Sequence, residues 1–283
     1  MFKTVHILGL QFPILTYDTT LDLFATWIDE KTPHQVCIVN VHTITTGLWD
    51  KELNAVNHRS LLTMDGMPLV WYANLVRNAN INNRVSGPDL MQKCLAAGCS
   101  KGWKHFFLGS RPETLQDLVN LTTAQYPDVK IVGWHSPPYR SLSAAEDQQL
   151  VDLINAAKPD FLWVALGAPK QEKWIAAHLP KLHAPIQIGV GAAFSYHSGH
   201  IARAPAWMQH RGLEWLYRLF QERRLLGRYL LSNQIFLLLF LRDLLLAKVF
   251  HPIKSWLGSK CPMPQVSKDH NSSSQEKTEK SNL

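Results

Sequence analysis

The chain has no D-x-D carboxylate pair, no G-x-G-x-x-G run, no P-loop lysine motif and no C-x-x-C. The first absence removes the common side-chain cradle for a divalent metal over a diphosphate. The next two weaken dinucleotide-binding and nucleoside-triphosphatase readings. Its four cysteines, Cys37, Cys94, Cys99 and Cys261, show no metal-ligand spacing with histidine. That argues against a zinc site and a disulfide framework, and for a reducing cytosol. The first apolar run is too short to be a signal peptide. No internal repeat is present. Long apolar runs are also scarce. The strongest, Ile235–Leu241, is seven residues long before Arg242-Asp243 interrupts it. A transmembrane helix needs about 20 apolar residues, so a membrane-surface or docking helix is the expectation. A helix packed on the protein's own core, or at an interface between copies, is the alternative.

What is present is a chain of 283 residues, 46% hydrophobic, long enough for one large domain and an appendage. Charge is unevenly placed. Residues 1–202 hold 16 basic and 16 acidic side chains, whereas 203–254 hold nine basic and three acidic, +6 of the total +7. Such a segment points to an anionic partner. Nucleic acid fits poorly, because the arginines alternate with aliphatic runs such as Leu225-Leu226, Leu230-Leu231 and Leu237–Leu239.

Short apolar runs at Val5–Leu10, Val36–Asn40, His105–Leu108, Lys130–Gly133, Phe161–Leu166 and Ile186–Val190 alternate with helical patterns. The helices are expected near 20–29, 43–58, 67–77, 88–97, 112–125, 144–157 and 170–178. This alternation predicts an α/β fold, a mostly parallel sheet with helices on both faces. From about residue 203 the pattern is helical throughout. Three regions result: an α/β domain over 1–202, a basic amphipathic helical appendage over 203–258, and a polar, disordered tail over 259–283.

Candidate chemistry gathers at strand C-terminal ends, where open α/β sheets bind ligands. Asp65, in Asp65-Gly66-Met67-Pro68, is either the N-cap of the next helix or a catalytic carboxylate. Asn40-Val41-His42-Thr43 follows another strand. Gly109-Ser110 is either an ordinary turn or a close approach to phosphate. Lys170 and Gln171 fall in the first turn of a helix after Gly167-Ala168-Pro169. There they are expected to face the sheet edge, with a plain surface charge as the alternative for Lys170. Arg84 could clamp a diphosphate or form a salt bridge.

In order along the chain stand Asp65–Trp71, Arg84–Met91, Phe107-Leu108-Gly109, Gly167–Trp174, Gly189–Phe194, Arg203–Gln209 and Gly212–Leu219. Together they resemble the WecG/TagA/CpsF family of bacterial glycosyltransferases, over roughly residues 35–230. The resemblance implies a Rossmann-like domain with a C-terminal helical appendage that meets the membrane. It implies inverting, metal-independent transfer, without a cofactor, of a hexosyl group from a UDP-sugar to a polyprenyl-diphosphate-linked acceptor. N-acetylmannosamine, its uronate and glucose-type donors all occur in the family. By motif, the catalytic aspartate falls on Asp65 and the donor-site residues on Asn40, Arg84 and Gln171, beside which Gly109 and Lys170 are donor-site candidates. The arginines that reach the diphosphate fall on Arg218, Arg224 and Arg228. One departure is Ile38, where the family often has threonine: one polar donor contact is either lost there or replaced by His42 or Thr43, which leaves the sugar, not the reaction class, open. The expected location is the inner face of the plasma membrane, on an anionic surface, with a homo-oligomer left open. A non-catalytic nucleotide-binding subunit of a polysaccharide assembly complex is the competing class.

Overall fold

A computed structural model describes residues 2–258, with side chains as far as Val249, so the expected tail at 259–283 lies outside the described residues. The chain opens with strands β1 (Thr4–Ile7) and β2 (Leu10–Pro13) and helix α1 (Tyr17–Glu30). There follow β3 (His34–Val39), α2 (Val41–Thr46), α3 (Lys51–Arg59), β4 (Leu61–Met64), α4 (Met67–Arg77) and α5 (Gly87–Lys101). Next come β5 (Lys104–Gly109), α6 (Pro112–Gln125), β6 (Lys130–His135), α7 (Ala144–Ala157), β7 (Phe161–Ala165), α8 (Lys170–His178) and β8 (Ile186–Gly189). The described part ends with α9 (Ala193–His197), α10 (Ala206–His210), α11 (Glu214–Gln221) and α12 (Leu226–Gly258).

Six strands form one parallel sheet in the order β4-β3-β8-β7-β5-β6. The fold is the α/β one that the alternating pattern predicts, and it is Rossmann-like as the resemblance implies. Central strands such as β3, with Val36, Cys37, Ile38 and Val39 all buried, read as unbroken apolar runs because both faces are covered. One face packs Val36, Ile38, Phe107, Phe161, Trp163 and Ile188 beneath α1, α5, α6 and α9. The other packs Phe106, Leu108, Leu162 and Val164 against α7 and α8. The chain leaves β3 toward β4 at one edge, whereas β8 and β7 belong to the half built toward β6. Strand order therefore reverses beside the C-terminal ends of β3 and β8.

Three local expectations change. The single strand expected over 5–10 is a hairpin, because Leu8 and Gly9 both take positive φ (46° and 89°) and turn the chain back. The single helix expected over 43–58 is two. The first stops at Gly47, and Asp50 starts the second by accepting from the Leu53 amide at 3.0 Å. The four-residue run before Asp65 is an edge strand in its own right.

The chain divides into a larger unit, Met1–Leu244, and a smaller one, Leu245–Leu283. The expectation that the C-terminal run is too interrupted to cross a membrane does not hold on length and composition. Arg223–Val249, with a mean hydropathy of 1.7 over its most apolar window, is long and apolar enough. The helix continues through Arg242-Asp243, whose side chains pair with each other at 2.7 Å, and the Tyr72 hydroxyl donates to Asp243.

Candidate active site

Strand register brings the first two candidate residues together. Val39 pairs with Met64, so the residues that follow, Asn40 and Asp65, stand abreast at the sheet's C-terminal edge. The Asp65 amide donates to the Val39 carbonyl at 2.8 Å. Asn40 is the N-cap of α2. Its Oδ1 accepts from the Thr43 amide at 3.1 Å, and the Asn40 amide donates back to Thr43 Oγ1 at 2.8 Å. With its oxygen fixed in the cap, the Asn40 amide nitrogen is left to donate toward Asp65.

Asp65 does not cap α4. Gly66 is the N-cap there, without a side-chain cap bond. The Asp65 carboxylate instead accepts from the Gly87 amide at 3.2 Å, at the start of α5. Loss of hydration is the largest influence on Asp65. The neighbouring Arg84 favours its charged form and Glu214 disfavours it, and the balance raises its pKa to about 7. A carboxyl poised near neutrality is suited to taking a proton.

Arg84 is only 8% exposed. Its Nη2 donates to Glu214 Oε2 at 2.7 Å and to Gln209 Oε1 at 3.3 Å. Both partners belong to the segment after residue 202. The same segment supplies Arg203, which grips Asp89 through Nη1 and Nη2 and brings Nε to 3.7 Å from Glu214 Oε1. Tyr196 lies between Asp65 and the appendage, with the Arg218 guanidinium 6.0 Å from its ring centre.

Lys170 and Gln171 diverge, as adjacent helical residues must. Gln171 turns inward and is 4% exposed. Its Oε1 accepts from the Gly167 amide at 3.2 Å, and its Nε2 donates to Glu172 Oε1 at 2.9 Å. Gly189 is glycine for a reason: a Cβ there would stand 2.9 Å from Gln171 Cγ. Lys170 turns outward, 6.0 Å from the Tyr139 ring. It lines a cleft of about 1010 Å³ together with Ser110, Arg111, Tyr139, His200 and Arg224. Gly109 is set by packing, since its φ is 103° and a Cβ would lie 2.6 Å from the Ala165 carbonyl oxygen. Its neighbours Ser110 and Arg111, not Gly109 itself, line the cleft.

The three appendage arginines separate. Arg218 bonds Glu222 at 2.9 Å beside Tyr196. Arg224 reaches the large cleft. Arg228 lines a second cleft of about 680 Å³ with His42, Trp49, Leu231 and Ile235, where its buried Nε has no partner among the described residues. Ile38 is buried beneath Gly87. Of the two suggested replacements, Thr43 is engaged in the cap and His42 points to Ser232 Oγ at 3.0 Å.

The sequence profile of the glycosyl transferase WecG/TagA/CpsF family matches residues 5–249. This chain belongs to that family. Similar proteins include an enzyme of Bacillus subtilis (strain 168), 30% identical over 195 residues, 68% of this chain and 73% of the relative. Enzymes of Staphylococcus aureus strains MW2 and NCTC 8325 are 28% identical over 229 residues, 79% of this chain and 87% of theirs. All three are named N-acetylglucosaminyldiphosphoundecaprenol N-acetyl-beta-D-mannosaminyltransferase. In this glycosyltransferase the structure adds three residues around the site that the sequence did not single out. Glu214 sits in the run Gly212–Leu219 and Tyr196 two residues beyond Gly189–Phe194, and neither carries a signal of proximity to Asp65. Glu172 follows Gln171 and would read as a solvated helix charge, yet it is 2% exposed.

Proposed function

We propose that the protein transfers an N-acetylmannosaminyl or closely related hexosyl group from a UDP-sugar to a polyprenyl-diphosphate-linked acceptor in cell-surface polysaccharide synthesis. The observation that carries this reading is Asp65: a half-buried carboxyl with a pKa of about 7, beside Asn40 and facing Arg84. In one displacement, Asp65 takes the proton of the acceptor hydroxyl. That oxygen bonds to the anomeric carbon, and the bond from carbon to the phosphate oxygen breaks. UDP departs with the electron pair, and the configuration inverts. Arginines and backbone N–H groups offset the charge that grows on the diphosphate. A sequence with no D-x-D and a surplus of arginine after residue 202 supports a route without a metal.

The large cleft at the ends of β5, β6 and β7, with Arg111, Lys170 and Arg224 at its wall, suits the uridine end of the donor, whose diphosphate we read as extending from there toward Arg84 and Asp65. The relatives' names support the acceptor. The cationic segment and the exposed Leu230, Leu231, Leu237 and Leu238 support a peripheral seat on the anionic inner face of the plasma membrane.

The test is transfer by purified protein from a panel of UDP-sugars (N-acetylmannosamine, its uronate, glucose, glucuronate) to a short-chain polyprenyl-diphosphate-N-acetylglucosamine. Asp65→Asn should keep UDP affinity and lower turnover by about a thousandfold or more. Turnover near that of the wild type would remove Asp65 as the base. UDP binding without turnover on any donor would favour the non-catalytic subunit.

A further inference from the structure

Arg84 is far more constrained than a clamp reaching out of a surface would be. One edge of its guanidinium, Nη2, is held by Glu214 at 2.7 Å and Gln209 at 3.3 Å. Nε and Nη1 have no side-chain or backbone acceptor among the described residues. Held through both hydrogens of Nη2, the guanidinium keeps a fixed plane, and Nε–H and Nη1–H remain as separate donors for phosphate oxygens. The gripping residue is itself fixed. Glu214 begins α11, and its second oxygen lies 3.7 Å from Arg203 Nε, while Arg203 is anchored on Asp89. Asp89 in turn accepts from Ser86 Oγ at 2.7 Å and from the Tyr17 hydroxyl at 3.2 Å. The chain of contacts runs from α1 and α5 in the neutral domain to α11 in the cationic segment.

We propose that Glu214 is a positioning residue of the transfer site: it sets the plane of Arg84 and supplies the negative charge beside which Asp65 works. The proposal rests on the reading of Asp65 as the base and Arg84 as a donor contact. The groups that face Asp65 are Asn40 from the end of β3, the Gly87 amide and Arg84 from the turn before α5, Tyr196 from α9, and Glu214 from α11, with Arg218 behind Tyr196. Among the charged ones, Glu214 is the anion. Removing its charge favours the ionised carboxylate, and an Arg84 freed to turn toward Asp65 acts in the same direction. An unpaired Arg84 also loses its fixed plane, so recognition of the donor weakens.

The test uses the full-length chain with Glu214→Gln, which keeps shape and an acceptor oxygen but not the charge. Two quantities are read: the titration midpoint of the Asp65 carboxyl by carbon NMR, which needs no substrate, and kcat and KM for the UDP-sugar. The expected result is a midpoint lowered by about one pH unit, the acidic limb of kcat/KM moving with it, and a loss in kcat/KM of roughly tenfold. Glu214→Asp retains the charge and should keep the midpoint near that of the wild type. Because the two residues act as a unit, adding Glu214→Gln to Arg84→Gln should lower kcat/KM little beyond Arg84→Gln alone. An unmoved midpoint in Glu214→Gln, an equal shift in Glu214→Asp, or losses that multiply in the double variant would overturn the proposal. An active Asp65→Asn enzyme would instead overturn the base assignment, and the midpoint would still report whether Glu214 acts on Asp65.

Discussion

At the scale of single residues, the site combines a destabilised carboxyl with neighbours that hold it in place. Asp65 has an ordinary pKa of 3.8 when solvated and about 7 when folded. The folded chain therefore binds its proton more tightly than the unfolded chain. The stability this contributes is complete below pH 3.8 and is lost as pH rises through about 7. Asp65→Asn, which cannot ionise, should melt above the wild type at pH 8 and by a smaller margin at pH 5, as calorimetry can check. The activity of the wild type should run the opposite way, with kcat/KM rising toward a plateau above about pH 7. Glu172 offers a second test. Burial raises its pKa, and its Oε1 fixes the Gln171 amide so that Oε1 of Gln171 meets the Gly167 amide. Glu172→Leu keeps the bulk and removes the acceptor. A rise of roughly tenfold in donor KM is expected, the scale of one orienting hydrogen bond, and Glu172→Gln should recover most of it.

At the scale of elements, strand register does most of the assembly. Most strands and the helices between them could be read from apolar runs and turn residues, because central strands are buried on both faces. Edge strand β4 was implied only by the placing of Asp65 at a strand end, since Thr63 breaks its apolar run. Its register against β3 nevertheless decides that Asn40 and Asp65 are neighbours. Motif order placed Asn40, Asp65, Arg84 and Gln171 in one series. It held nothing about Glu214, which reaches Arg84 across 130 residues of chain. Nor did it separate Lys170 from Gln171, whose divergence follows only once α8 has a phase. The glycine under Gln171 is a prediction of its own. Gly189→Ala places a methyl 2.9 Å from Gln171 Cγ and Nε2. The buried, hydrogen-bonded side chain must move, so donor KM should rise and the melting temperature should fall, both measurable on one preparation.

For the whole molecule, the neutral α/β layer structure and the cationic helices are not separable modules in the simple sense of a cut at residue 202. Arg203, Gln209, Glu214 and Arg218 all reach the site from beyond that point. A chain ending after Ala202 should lose nearly all transfer activity, even on a water-soluble acceptor. A chain ending after Leu244 retains these four residues and should keep activity on that acceptor. It should sediment less with anionic vesicles than the full chain, since it lacks the exposed Leu245, Leu246 and Val249 and the cation Lys248. Full activity after the shorter cut would remove the appendage from the mechanism.

The ion pair between Arg84 and Glu214 also has a meaning in time. A ribosome delivers the chain from its N-terminus, and domains fold as they emerge. The strands that carry Asn40 and Asp65 exist well before Glu214 is made. Until then Arg84 has no partner, and the carboxyl beside it lacks its tuning charge. A nascent chain can therefore acquire its sheet before the proposed site is complete, and the residue that completes it belongs to the same stretch of sequence that leads into the apolar C-terminal helix.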